Sequence, residues 1–128
     1  MTDLNKILHV DDDEDVRVIT EMALALGGGL ELKQCDSGKS AIEACMTYDP
    51  DLLLLDLMMP HMTGEEAWDE IRKIPGKENI AAVFLTAKAD AATTERILSK
   101  GALGVIPKPF DPMQLFSKVQ ELWERSGR

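Results

Sequence analysis

The sequence predicts an α/β fold in which five parallel strands form one sheet with helices on both faces. Three observations carry that reading. Short apolar runs alternate with amphipathic stretches five times along 128 residues. The connections between them are short, as β-α units require. Leu52-Leu53-Leu54-Leu55 is apolar throughout, as a strand buried on both faces of a parallel sheet must be. Right-handed crossovers then leave few topologies open.

Each element has its own signal. Ile7-Leu8-His9-Val10 reads as the first strand. Val16, Ile19, Met22, Ala23 and Leu26 recur at helical spacing and give the first helix. Gly27-Gly28-Gly29 ends that helix, because glycine accepts the left-handed cap conformation. Leu30 to Cys35 alternates and suits the second strand. Asp36-Ser37-Gly38 caps the second helix, which carries Ala41, Ile42, Cys45 and Tyr48 and is broken by Asp49-Pro50.

The apolar run from Leu52 is the third strand. A loop with Pro60 and Gly64 leads to the third helix, with Ala67, Trp68, Ile71 and Ile74, stopped by Pro75-Gly76. Ala81 to Leu85 is the fourth strand, and a helix from about Ala91 to Lys100 follows. Val105-Ile106 is a short fifth strand. The fifth helix runs from about Pro112 to Trp123, with Leu115, Phe116, Val119, Leu122 and Trp123 on one face.

Composition narrows the function. With 45% apolar and 29% charged residues the chain is an ordinary globular protein. No apolar run approaches the ~20 residues that span a bilayer, so no membrane insertion is expected. The start, Met1 to Lys6, has no basic segment followed by an apolar stretch, so no signal peptide is expected. Cys35 and Cys45 follow no metal spacing and read as reduced thiols of a cytoplasmic protein. A net charge of −9 argues against direct nucleic-acid binding.

In open α/β sheets the functional crevice lies at the carboxyl ends of the strands. Here the first strand ends in Asp11-Asp12, the third in Asp56, the fourth in Thr86-Ala87 and the fifth in Pro107-Lys108-Pro109. Asp56 is the one polar residue between Leu52 and Met59, and a carboxylate beside a buried run costs free energy unless compensated. It could simply cap a loop, but the other strand-end groups favour chemistry. Asp13, Glu14 and Asp15 suit a helix N-terminus. Asp11 and Asp12 precede the helix and would repel Asp56. A hard cation removes that conflict, and Mg²⁺ takes carboxylates, a carbonyl and water.

Lys108, held between two prolines, is aimed at the acids rather than mobile, and its bond to Pro109 is a candidate cis peptide. Thr86 could hydrogen-bond the same substrate oxygen, or could merely fit a strand end. Such a set suits Asp56 as a nucleophile that forms an acyl phosphate, with Mg²⁺ and Lys108 neutralising charge.

Ile7 to Asp13, Leu54-Leu55-Asp56-Leu57-Met58-Met59-Pro60 with Gly64, Leu85-Thr86-Ala87 and Lys108-Pro109-Phe110 together resemble the receiver domain of two-component response regulators, of the single-domain chemotaxis kind. The resemblance covers essentially all of residues 1–128, as one domain. It implies a flavodoxin-like, doubly wound, five-stranded parallel sheet in the order 2-1-3-4-5 with five helices. It implies that a histidine kinase or histidine phosphotransfer protein donates a phosphoryl group to Asp56 in a phosphorelay. Asp11 and Asp12 become the acidic pair and Met58 lends a backbone carbonyl to Mg²⁺. Thr86 and Lys108 become the switch pair. The protein would be a signalling switch that assists its own phosphorylation and dephosphorylation, not a turnover enzyme. Its output would be contact with a downstream protein target.

Departures are visible too. Val105 stands where many receivers carry an aromatic residue that swings inward with the threonine, so output would rely on backbone shifts in the loop and helix after the fourth strand. His9 replaces an aliphatic residue and reads as a core or edge histidine with a hydrogen-bond partner, not as a phosphoacceptor; His61 reads as a solvated loop residue. Met58, Met59 and Met62 could form a soft docking surface. Three other functions compete: a phosphate-independent interaction module, a small Asp-nucleophile phosphatase using the D-x-D spacing of Asp11 and Asp13, and an FMN carrier. The acids after the first strand would repel a flavin phosphate.

Overall fold

The computed structural model describes residues 3–128. Met1 and Thr2, with which the leader reading begins, lie outside the described residues. Elements alternate in the expected order: β1 (Lys6–Val10), α1 (Glu14–Ala25), β2 (Glu31–Cys35), α2 (Gly38–Ala44), β3 (Leu52–Asp56), α3 (Gly64–Ile71), β4 (Ala81–Thr86), α4 (Ala91–Ser99), β5 (Gly104–Pro107) and α5 (Leu115–Arg125). All pairings are parallel and the sheet order is β2-β1-β3-β4-β5. Among the described residues no helix is long and apolar enough to cross a membrane.

The sheet separates two apolar layers. Leu8, Val10, Leu53, Leu55 and Phe84 pack with Cys45, Trp68, Ile71 and Ile97, from the α2, α3 and α4 side. Ile7, Leu52, Leu54, Val83 and Leu85 pack with Ala23, Leu24, Leu115, Val119 and Trp123, from the α1 and α5 side. The alternation of strand side chains between the two faces produces this division. Trp68 meets Phe84 edge-on at 5.7 Å and donates its indole N–H to the Ile80 carbonyl.

The expected cap of α2 forms, and α3 and α4 carry caps as well. Ser37 and Ser40 make a capping box for α2, Thr63 and Glu66 one for α3, and Asp90 caps α4. Three helices are shorter than their apolar spacing suggests. α3 ends at Ile71, before Ile74. α2 ends at Ala44, before Tyr48. α5 begins at Leu115, because Asp111 holds residues 111–114 in a turn: its side chain accepts from Met113 N–H and its carbonyl from Gln114 N–H.

The apolar residues that signal α1 are only partly the ones it buries. Thr20, Ala23 and Leu24 are buried, whereas Ile19, Met22 and Leu26 are 42%, 67% and 59% exposed. Ala23 and Leu24 pack with Leu115 and Val119 of α5, and the two helices' ends approach closely at Gly27. A Cβ at Gly27 would lie 2.3 Å from the Phe116 ring. The methionine surface is corrected. Met58 is exposed, but Met59 is buried in the core and Met62 packs over Gly38.

Candidate functional site

Parallel pairing brings four strand ends to one edge. β1 delivers Asp11 and Asp12, β3 ends on Asp56, β4 ends on Thr86, and Lys108 follows β5. The carboxylates of Asp11, Asp12 and Asp56 offer oxygens that all lie within 4.8 Å of one another. Asp11 and Asp56 are buried and Asp12 is exposed. Lys108 Nζ stands 2.8 Å from Asp11 Oδ2 and 3.2 Å from Asp56 Oδ1. The Lys108-Pro109 peptide is cis.

Asp11 is pinned on every side. Its N–H donates to the Cys35 carbonyl at 3.1 Å. Oδ1 accepts from Asp13 N–H, Oδ2 from Lys108, and the backbone carbonyl from Arg17 Nη1 at 2.8 Å. Asp13 does not join the cluster. It caps α1, its side chain accepting from Asp15 and Val16 N–H, and so the second acid of the D-x-D spacing has a structural role.

Asp56 Oδ1 also accepts from Met58 N–H at 3.3 Å. Among the described residues nothing donates to the Met58 carbonyl, which is available to a ligand. The loop is held close by α3: Gly64 N–H donates to the Leu57 carbonyl at 3.0 Å. A Cβ at Gly64 would stand 2.2 Å from the Asp56 carbonyl oxygen, so only glycine fits.

Burial, followed by the charge of Asp11, raises the Asp56 carboxyl from 3.8 to about 6, against the opposing pull of Lys108 and Met58 N–H. Burial works against the Lys108 ammonium too, but its bonds to Asp11 and the charges of both acids hold its pKa above the ordinary lysine value. Three carboxylates thus face one ammonium. The donors are all hard oxygens, and the excess negative charge fits a hard divalent cation such as Mg²⁺.

Thr86 reaches the same edge without touching the acids. Its hydroxyl accepts from Lys88 N–H at 3.0 Å, while its carbonyl accepts from Lys108 N–H at 2.8 Å. Val105 is half-buried on β5. His61 is exposed with φ 69. His9 is buried: Nδ1 accepts from Gln34 Nε2 at 3.1 Å and Nε2 has no partner among the described residues. Burial, then the charges of Lys108 and Arg17, lowers its pKa from 6.5 to about 3, so the ring is neutral.

The sequence matches the response regulator receiver domain family over residues 7–120. The chain belongs to that family. Among similar proteins, the regulatory protein AtoC of Escherichia coli is 35% identical over 120 residues, which cover 94% of this chain and 25% of AtoC. The transcriptional regulatory protein CseB of Streptomyces coelicolor is 30% identical over 127 residues, 99% of this chain and 53% of CseB. The chain therefore spans a quarter to about half the length of the curated relatives it matches. The chemotaxis protein CheY4 of Vibrio cholerae superposes with a TM-score of 0.84 at 26% identity, covering 94% of this chain and 99% of that structure. Receiver domains are phosphoryl-accepting switches of two-component systems rather than turnover enzymes, and the strand order found here is theirs.

Sequence reasoning passes over two residues beside the receiver site. Arg17 bonds the Asp11 carbonyl, and Gln34 bonds both His9 and the Arg17 carbonyl, the latter at 2.8 Å. The available signal was charge: Arg17 is the only Lys or Arg between Lys6 and Lys33.

Proposed function

We propose that residues 1–128 form one receiver domain. It accepts a phosphoryl group on Asp56 from a histidine kinase or histidine phosphotransfer protein, in a Mg²⁺-dependent reaction, and signals through contact with a target protein. One observation carries the reading: an acid at the end of β3 lies beside two further acids and 3.2 Å from a lysine, the four residues being drawn from three strand ends.

Oδ1 of Asp56 is occupied by Lys108 and Met58 N–H, which leaves Oδ2 as the nucleophile. At neutral pH Asp56 lies above its pKa of about 6 and is ionised, as attack requires. The Oδ2–P bond forms as the P–N bond of the donor phosphohistidine breaks, and the departing imidazole takes its proton from solvent. Asp11, Asp12 and Asp56, with the Met58 carbonyl, would hold Mg²⁺. When bound, that ion supplies divalent charge against the phosphoryl oxygens. Lys108 needs only a short movement from Oδ1 to bond a phosphoryl oxygen on the same carboxylate.

The new charge gives Thr86 a stronger acceptor partner than its present bond to Lys88 N–H. Turning the hydroxyl towards the phosphoryl group frees Lys88 and the segment that leads to α4. That segment is the two-state element in this proposal, and it needs no aromatic residue at Val105. The phosphoryl group ends on Asp56 itself, and attack of water on the acyl phosphate returns the carboxylate and releases inorganic phosphate, so the protein is a switch that assists its own phosphorylation and dephosphorylation. A net charge of −9 favours a protein over a nucleic acid as output partner. Free, buried Cys35 and Cys45 accord with the cytoplasm as its compartment.

The test is incubation with acetyl phosphate or beryllofluoride, with and without Mg²⁺. A labile adduct is expected with Mg²⁺ and is lost in Asp56→Asn. No adduct under any condition would favour a phosphate-independent interaction module. Repeated turnover of acetyl phosphate that survives Asp56→Asn would return the phosphatase reading.

A further inference from the structure

The Arg17 guanidinium sits where a cation is not expected. Arg17 lies in the first turns of α1, yet its side chain folds back past the helix N-terminus to the Asp11 carbonyl, 2.8 Å away. The partial positive charge of a helix N-terminus disfavours a cation there. Holding a long, rotamer-rich side chain in one place also costs entropy. Ordinary loop solvation would satisfy one carbonyl without either cost.

What the contact fixes is specific. The Asp11 carbonyl belongs to the peptide whose nitrogen is that of Asp12. Arg17 therefore sets the plane of the peptide that joins the two acids. Asp11 is already held through its N–H and both carboxylate oxygens. The exposed Asp12 takes its direction from that peptide.

Arg17 is itself held. Gln34 on β2 pairs in register with His9 on β1, which places the two side chains on one face of the sheet. The Gln34 amide uses both hydrogens, one on His9 Nδ1 at 3.1 Å and one on the Arg17 carbonyl at 2.8 Å. A polar chain thus runs from β2 through α1 to the Asp11-Asp12 peptide. It also gives the histidine on β1 a role, as acceptor for one hydrogen of the half-buried Gln34 amide.

We infer that Arg17, braced by Gln34, is a positioning residue that aims Asp12 and thereby sets the affinity of the acidic pocket for a divalent cation. The inference rests on the proposed Mg²⁺-dependent reaction. Outer groups that orient ligands typically change metal affinity by about 10–100-fold when removed.

Mg²⁺ is titrated calorimetrically into the wild type, Arg17→Met, Arg17→Lys and Gln34→Leu, and phosphorylation from acetyl phosphate is followed over the same Mg²⁺ range. We expect Mg²⁺ to bind about tenfold more weakly to Arg17→Met. Gln34→Leu should lose less, and Arg17→Lys should recover part of the loss. At saturating Mg²⁺ the maximal phosphorylation rate should return to near the wild-type value, so that the defect lies in half-saturation. Wild-type Mg²⁺ affinity in Arg17→Met and Gln34→Leu, even with lowered thermal midpoints, would overturn the inference and leave the proposed function standing. If Arg17→Met does not fold, the affinity of Gln34→Leu decides. A wild type that binds no Mg²⁺ would overturn the proposed function and this inference together.

Discussion

Asp56→Asn should stabilise the fold at neutral pH and leave it unchanged in acid. Asp56 is 5% exposed, and burial together with Asp11 lifts its pKa from 3.8 to about 6. The folded pKa is the higher one, so the stability this group contributes is fully present below pH 3.8 and is lost as pH rises through about 6. A rise of roughly two units at 1.36 kcal/mol each corresponds to about 3 kcal/mol of penalty on the ionised form above pH 7. Asparagine keeps the shape and carries no charge. Its amide group stands near the Lys108 ammonium, which makes about 3 kcal/mol an upper figure. Urea denaturation of both proteins from pH 4 to pH 8, in the presence of a chelator, isolates the effect as a difference. The difference should be near zero at pH 4, grow between pH 4 and pH 7, and then level off. Adding Mg²⁺ to the unsubstituted protein should shrink it, because a bound cation relieves the same penalty. A flat difference across pH, or a less stable variant at pH 8, would refute the reasoning.

Other substitutions probe the supports of the site. Gly64→Ala drives a Cβ to 2.2 Å from a backbone oxygen that cannot yield, and should cost about 1–3 kcal/mol by thermal or chemical unfolding. Lys108→Met leaves Asp11 buried without its cation. It should cost roughly 3 kcal/mol at pH 8 and less at pH 4, where protonation relieves the acids, as chemical denaturation at the two pH values would show. His9 is folded neutral with a pKa lowered to about 3, so its stability is present above pH 6.5 and is lost as pH falls towards 3. His9→Leu should therefore gain on its parent by about 1.4 kcal/mol per pH unit below pH 6.5, measured by denaturation at stepped pH.

The strands and the site edge were legible because their signals are local. A run such as Leu52 to Leu55 reads as a buried strand without any partner, and Asp56 stands out against it. Once strands are parallel, acids and a lysine at their carboxyl ends must share an edge, so Asp11, Asp12, Asp56 and Lys108 could be named in advance. What was not legible depended on side-chain reach across elements. The face of α1 that is buried depends on how the helix sits against α5 and the sheet, and it includes Thr20 and Ala23 but not Ile19 and Met22. The bond from Arg17 to the Asp11 carbonyl requires a side chain to double back past its own helix start, which no spacing rule encodes. Likewise the ion-pair group in which Glu65 and Asp69 of α3 bind Lys100, with Arg96 also on Glu65, joins residues some thirty positions apart. Thr86 ends β4 at the same edge, and the bond its hydroxyl accepts from Lys88 N–H is another contact that no sequence spacing encodes.

Reductive trapping tests the central claim most directly. The chain is treated with acetyl phosphate and Mg²⁺, quenched with borohydride, digested and mapped by mass. Borohydride reduces an acyl phosphate to the alcohol, which converts the aspartate that carried it to homoserine. The account predicts homoserine at position 56 alone, dependent on Mg²⁺. Homoserine at another aspartate, or none at any position while a known receiver treated alongside is converted, would contradict it.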